Sequence, residues 1–213
     1  MLTKNIDEMK AITAEHIAAD AVIQGSYWLK DESDLGGKGC FIGCLTHGTL
    51  AANVTEKFGI PEPLVLILER LFERLPFEDG KLFFGEIPEA IGADGKDLSL
   101  IHWAFLKQML ENLPTVADDI QSVIDPVIAG LGALASGGDW PETDAKATAE
   151  AAARAAARTA EAVARAAAWT AEGAARTAWT AEGAARTAEA VARAADAYCQ
   201  SQRKVIIEML TEA

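Results

Sequence analysis

Apolar positions Ile6, Met9, Ile12, Ala14, Ile17, Ala18, Ala21 and Val22 recur at spacings of three and four, which predicts an amphipathic helix over 2–24, ended by Gly25. The next stretch admits two readings. Tyr27-Trp28-Leu29 has strand-forming residues, and a short hairpin through 31–37 suits them, while a helix over 40–50 fits the pattern equally well. From Glu62 the pattern is unambiguous: Pro63 is tolerated in a first turn, Pro76 lies beyond the end, and Leu64, Ile67, Leu68, Leu71, Phe72 and Leu75 form one broad apolar face. That face predicts a core. Further helices are expected over 81–91, against the resistance of Gly85 and Pro88, and over 98–113, where His102-Trp103 reads as an interior pair. Pro114 stops the latter, and 115–135 carries helical signals interrupted by Pro126, Gly130 and Gly132. Ser-Gly-Gly-Asp-Trp-Pro then marks a boundary at 137–141.

Beyond that boundary the chain is a repeat. Thr-Ala-Glu-x-x-x-Arg begins at Thr148, Thr159, Thr170, Thr180 and Thr187, and in each copy the glutamate precedes an arginine by four: Glu150/Arg154, Glu161/Arg165, Glu172/Arg176, Glu182/Arg186 and Glu189/Arg193. This is the favourable order for an intrahelical ion pair, so five pairs contribute about 1 to 2.5 kcal/mol in an alanine-rich background. The threonines and alanines, with Val163 and Val191, form a narrow and weakly apolar stripe that allows close helix approach but needs a partner helix. A continuous helix over 142–210 would extend roughly 100 Å. Either it folds back, with Gly173 and Gly183 as the cheapest hinges, or it projects as a stalk that associates with copies of itself, the reading that the 11-residue spacing favours. A soluble low-complexity expansion is the plain alternative.

The fold class expected is therefore mainly α: a compact helical N-terminal domain over 1–137, with room for a short β-hairpin, followed by a long alanine-rich helical segment over 138–213. Composition agrees, since 213 residues that are 50% hydrophobic can bury a real core. The net charge, 19 − 32 = −13, excludes a protein that coats nucleic acid by neutralising phosphates. Most of that charge, −12, falls on 1–140. Exposed acid is ordinary solvation, or an imitation of nucleic acid toward a basic partner. An odd count of three cysteines suits a reducing compartment, and the charged start and lack of a long apolar run predict a cytoplasmic protein with no membrane association.

One motif carries chemistry. Gly36-Gly37-Lys38-Gly39-Cys40 precedes Phe41-Ile42-Gly43-Cys44-Leu45-Thr46-His47. Glycines around Lys38 would let backbone N–H groups converge at the start of a helix near Cys40, which makes an anion pocket with Lys38 as an added charge. The spacing misses the phosphate-loop pattern, so a nucleoside triphosphatase is not expected. On a helix, Cys40, Cys44 and His47 share a face. As a metal site they lack a fourth ligand, with His16 and His102 on separate helices, and neither metal nor cofactor is implied. As a catalytic set, a thiol activated by His47, Lys38 and the helix N-terminus is chemically sound. Buried cysteines that simply pack are the alternative to both. Tyr27 and Trp28 could stack on a planar ligand or serve the core.

Gln24-Gly25-x-Tyr27-Trp28, GKGCFIGCLTH at 37–47, Phe58-Gly59-Ile60-Pro61 and LERLFERLP at 68–76, followed by an alanine-rich tail, resemble a family of bacteriophage and prophage proteins with no assigned activity. The resemblance spans about 14–113, and the chain departs from the family's usual form by the longer DESDLGG stretch before Lys38. Phage accessory proteins of this size often counter host defence by trapping a nucleotide second messenger, blocking a defence protein or degrading the signal. The resemblance and the anion-competent loop together imply a sponge in the bacterial cytoplasm for a small phosphate-bearing ligand such as a cyclic nucleotide. It would be held by Tyr27, Trp28, Gly37, Lys38, Gly39, Cys40, Gly43, Cys44 and His47, in a homo-oligomer built through the Ala/Thr helix face. The alternatives are a hydrolase or transferase using Cys40, Cys44 and His47, and an acidic inhibitor of a host protein. The charge of −13 opposes anion capture at long range, so local donors must prevail within about 8 Å.

Overall fold

The structure, a computed structural model, describes residues 1–32, 36–112, 118–147 and 180–213, with backbone only at 119, 120, 180–192 and 194. The chain is mainly helical, as expected: α1 (Ile6–Ala18), β1 (Trp28–Lys30), β2 (Gly37–Gly39), α2 (Phe41–Thr46), α3 (Ala51–Phe58), α4 (Glu62–Arg74), α5 (Phe77–Ile91), α6 (Ile101–Glu111), α7 (Asp118–Ala135) and α8 (Thr180–Glu212). By contact it divides into one unit of 1–105 with 196–213 and a second of 106–195. Residues 106–137, grouped with the N-terminal domain by the sequence, thus fall in the second unit, and the last turns of the tail fall in the first.

In the first unit the core is built from Ile6 and Met9 of α1, Phe58 of α3, Leu64, Leu68 and Phe72 of α4, Phe83, Phe84 and Ile87 of α5, and Ile206 and Leu210 of α8, none more than 1% exposed. Phe41 and Phe72 both meet Phe84 edge-on, with centroids 5.9 and 6.3 Å apart. α4 has the bounds its prolines predict, whereas α1 is shorter than its periodicity. It ends at Ala18, and Asp20 turns the chain with φ 51°. Ala21 and Val22, which continue the helical spacing, instead run extended along β2: Gly39 N–H donates to the Ala21 carbonyl and Ile23 N–H to the Gly39 carbonyl. Both residues are buried there, Ala21 at 2% and Val22 at 0% exposure, so the extended course covers them fully. α3 was not expected; only Val54 and Phe58 of its eight residues face the core apart from Ala51, and Gly59, at φ 70°, ends it.

Both readings of the 26–50 stretch are realised in sequence. β1 and β2 pair antiparallel with Leu29 opposite Lys38, and α2 begins two residues after β2 ends. α5 starts four residues earlier than expected, at Phe77 behind Pro76, and buries Pro88 near its end.

In the second unit α7 runs through Pro126, Gly130 and Gly132 without a break. It closes with Gly137 and Gly138 donating to the Leu134 and Ala133 carbonyls, a Schellman cap, after which the Trp140 indole lies on Gly130, where an added Cβ would be 2.2 Å away. The boundary motif is thus a helix stop and a return.

α8 extends about 50 Å and passes through Gly183 with no hinge. Its final turns belong to the first unit, where Arg203 grips Glu86 through Nε and Nη2, at 2.9 and 2.5 Å, with Asp79 at 3.6 Å. Lys96 caps the helix by donating to the Leu210 and Thr211 carbonyls. The five Glu/Arg pairs, Gly173 and the Ala/Thr stripe lie outside the described residues or side chains. Among the described residues no helix is long and apolar enough to cross a membrane.

Candidate functional site

The glycines of the motif serve close packing. A Cβ on Gly37 would stand 2.4 Å from the Leu29 carbonyl oxygen and 2.8 Å from the Trp28 ring; on Gly39, 2.2 Å from the Tyr27 carbonyl oxygen; on Gly43, 1.4 Å from that same oxygen. Trp28 therefore lies across β2, and Tyr27 presses on α2, because nothing larger than hydrogen intervenes. The N–H groups expected to converge on an anion are already engaged. Gly39 donates to Ala21, Cys40 to the Ser26 and Tyr27 carbonyls, and Cys44 to Cys40. At the start of α2, Ile42 N–H donates to Glu69 Oε2 at 3.1 Å. The negative charge suited to this helix end is thus a carboxylate of the chain itself. Lys38 pairs with Leu29 across the hairpin, and its charge helps to lower the Asp20 pKa, after the larger effect of Lys81. The anion cradle around Lys38 is not built, since folding has spent its donors.

Cys40, Cys44 and His47 are likewise divided between two environments. The Cys44 thiol donates to the Gly39 carbonyl at 3.1 Å, inside the protein, and burial pushes its pKa up to about 12. Burial, and then the charge of Glu69, raise Cys40 further, against backbone N–H groups of Gly43 and Ile42 that favour the thiolate. Both thiols are thereby held protonated at neutral pH, so the thiol nucleophile expected from a helix N-terminus and Lys38 is not prepared here. Desolvation is the larger effect, because both cysteines are 1% exposed.

His47 sits just past α2 with φ 50°, and its ring stacks on Trp28 with centroids 4.1 Å apart and planes 13° from parallel. The third ring of this cluster is His16 of α1, 5.6 Å from His47 and 5.9 Å, edge-on, from Trp28. His16 is 2% exposed. Its Nδ1 faces the Ile12 carbonyl at 2.9 Å and so carries a hydrogen, while its buried Nε2 has no hydrogen-bond partner among the described residues. His16 and His47, with Glu15, Asn53, Lys57 and Cys44, line a cavity of about 390 Å³. Burial, His16 and Lys57, in that order, hold the His47 pKa below its ordinary value. Trp28 is committed to β2 and to His47, while Tyr27 remains 47% exposed.

Across α2, Cys40 lines a second cavity, of about 440 Å³, with Tyr27, Glu69, Arg70 and Glu73. Glu69 is half-buried, which raises its pKa, and Glu73 accepts the Gly25 N–H at 2.8 Å. Three residues important to these cavities stand out poorly in the sequence. His16 is visible there only as a lone histidine on an apolar helix face. Glu69 and Glu73 are visible as carboxylates four apart on α4, a spacing that puts both on one side.

Comparisons with family models, curated proteins and solved structures find no match to this chain.

Proposed function

We propose that the chain is a non-enzymatic binding protein that sequesters a small phosphate-bearing ligand, and that the ligand enters the cavity lined by His16 and His47. The observation that carries this reading is the buried His16 Nε2, without a hydrogen-bond partner among the described residues, beside a His47 ring backed by Trp28. A buried polar atom costs free energy until it is hydrogen-bonded, and a ligand hydroxyl or N–H would relieve that cost. Asn53 lines the cavity with amide N–H donors suited to phosphate oxygens, and Lys57 adds positive charge beside it while paired to Glu8 at 2.9 Å, against the opposing charge of Glu15. The volume lies within the range of small-molecule sites. Thiols held protonated weigh against the hydrolase or transferase alternative. The resemblance to phage proteins suggests a defence signal of the cyclic nucleotide type, captured in the bacterial cytoplasm by a homo-oligomer joined through the Ala/Thr face. The acidic inhibitor is favoured only by the charge of −12 on 1–140.

Calorimetry with inorganic phosphate, a cyclic mononucleotide and a cyclic dinucleotide tests the reading, with chromatography of whatever heat releases. Intact ligand, and affinity at least tenfold weaker in His47→Ala and His16→Gln, is expected. Altered ligand means an enzyme, no ligand means a protein-binding role, and undiminished binding by both variants refutes the site.

A further inference from the structure

The cavity on the other side of α2 brings together a sulfur and two carboxylates that the proposed binding site does not use. Cys40 is the residue before α2, and Glu69 and Glu73 occupy successive turns of α4. One ligand atom from each, Sγ and a carboxylate oxygen of either glutamate, lies within 4.8 Å of the other two. Around a tetrahedral zinc ion, with Zn–S near 2.3 Å and Zn–O near 2.1 Å, such atoms would be about 3.4 to 3.6 Å apart, and side-chain rotation of about 1 Å closes that difference.

The surroundings suit an ion. Each carboxylate is held by a backbone N–H at Oε2, Glu69 by Ile42 and Glu73 by Gly25, and this outer contact orients it. Neither is ion-paired among the described residues. Cys40 Sγ and a Glu69 carboxylate oxygen lie within 4.8 Å of each other, so a cation between them would bridge the sulfur and the carboxylate. The three donors also line a cavity with space for a further ligand.

We propose that Cys40, Glu69 and Glu73 form an open three-ligand site for a divalent ion of the zinc type, its fourth position turned to the cavity. Binding exchanges the thiol proton for the metal: the S–H bond breaks, the M–S bond forms and one proton passes to solvent. A thiolate with two carboxylates selects zinc and cobalt(II) over magnesium and calcium, which take oxygen ligands alone. This site does not depend on ligand binding in the His16 cavity.

Cobalt(II) titrated into the full chain after chelator treatment is the test. A near-ultraviolet sulfur-to-cobalt band that saturates at one equivalent, release of one proton and displacement by zinc are expected. Cys40→Ser should abolish the band, and Glu69→Gln and Glu73→Gln should each weaken binding at least tenfold, with circular dichroism reporting that each variant is folded. Cys44→Ser, Cys199→Ser and His47→Ala should leave the spectrum unchanged. A band that persists in Cys40→Ser, or the absence of cobalt and zinc binding by the folded wild-type chain at millimolar metal, overturns the proposal. If Cys40→Ser does not fold, the glutamine variants decide it, since full affinity in both has the same meaning.

Discussion

Replacing Gly43 by alanine sets two physical effects against each other. Gly43 lies inside α2, where alanine is favoured by about 1 kcal/mol. Its new Cβ, however, would stand 1.4 Å from the Tyr27 carbonyl oxygen and 2.4 Å from the carbonyl carbon, both backbone atoms that no rotamer change can move. Relief to ordinary contact, near 3.5 Å, requires a shift of about 2 Å between α2 and the start of β1. That shift would break the Cys40 N–H bonds to the Ser26 and Tyr27 carbonyls, at 2.9 and 3.2 Å. Loss of this one hydrogen bond, shared between two carbonyls and worth about 1 kcal/mol, and overpacking of about 1 to 3 kcal/mol exceed the helix gain, for a net loss of about 1 to 3 kcal/mol. Against a total stability of about 5 to 15 kcal/mol this is a large fraction. Gly85→Ala is the control, because there the Cβ would meet only the flexible tip of Ile17, at 3.2 Å, and stability should stay level or rise by up to about 1 kcal/mol. Urea unfolding at neutral pH, followed by circular dichroism, measures both. A Gly43→Ala protein as stable as the wild type would refute the assignment of the motif glycines to close packing.

Lys38→Ala should change neither stability nor capture of phosphate-bearing ligands appreciably, and a tenfold loss of affinity by calorimetry would restore Lys38 to the site. Cys44 keeps its proton in the fold up to about pH 12, against an ordinary value of 9.0, so the folded chain binds more protons above pH 9 and loses stability as pH rises. Cys40, raised further, acts in the same sense, so urea unfolding between about pH 9 and 11 should detect a falling stability whose slope Cys44→Ala reduces; an unchanged slope in the variant would count against it. For His47 and His102, both held below 6.5, the unfolded chain binds more protons, so stability should fall as pH drops below 6.5, while Glu69, shifted upward, acts in the opposite sense. His47→Gln should flatten this acid profile, and identical profiles would contradict its cause. Ile206→Ala, at a fully buried position of α8, should cost the first unit about 2 to 4 kcal/mol, and a change below about 0.5 kcal/mol would show that the helix end does not share its core.

Elements were legible where a local signal coincided with burial. α4 begins and stops at its prolines, and its apolar face is the one the core uses. The end of α1 was not legible, because Ala21 and Val22 satisfy helical periodicity and extended burial equally well. α7 persists through Pro126, Gly130 and Gly132 although a proline in a helix interior costs about 3 kcal/mol and a glycine about 1 kcal/mol, and Trp140 fills the space that Gly130 leaves. In the motif, a glycine that cradles an anion and one that admits a neighbouring carbonyl have the same sequence, since each role asks only for the absence of a Cβ.

Alone, the sequence determined a mainly helical chain with an acidic first part, the position of α4 and the stretch where hairpin and helix meet, because these depend on periodicity, prolines and charge within a few residues. Tertiary structure decided the chemistry. It placed His16 beside His47, set Glu69 at the head of α2 and against Cys40, and returned the end of α8 to the first unit. Those contacts join residues tens of positions apart, and which donors folding consumes and which it leaves open is a property of their meeting.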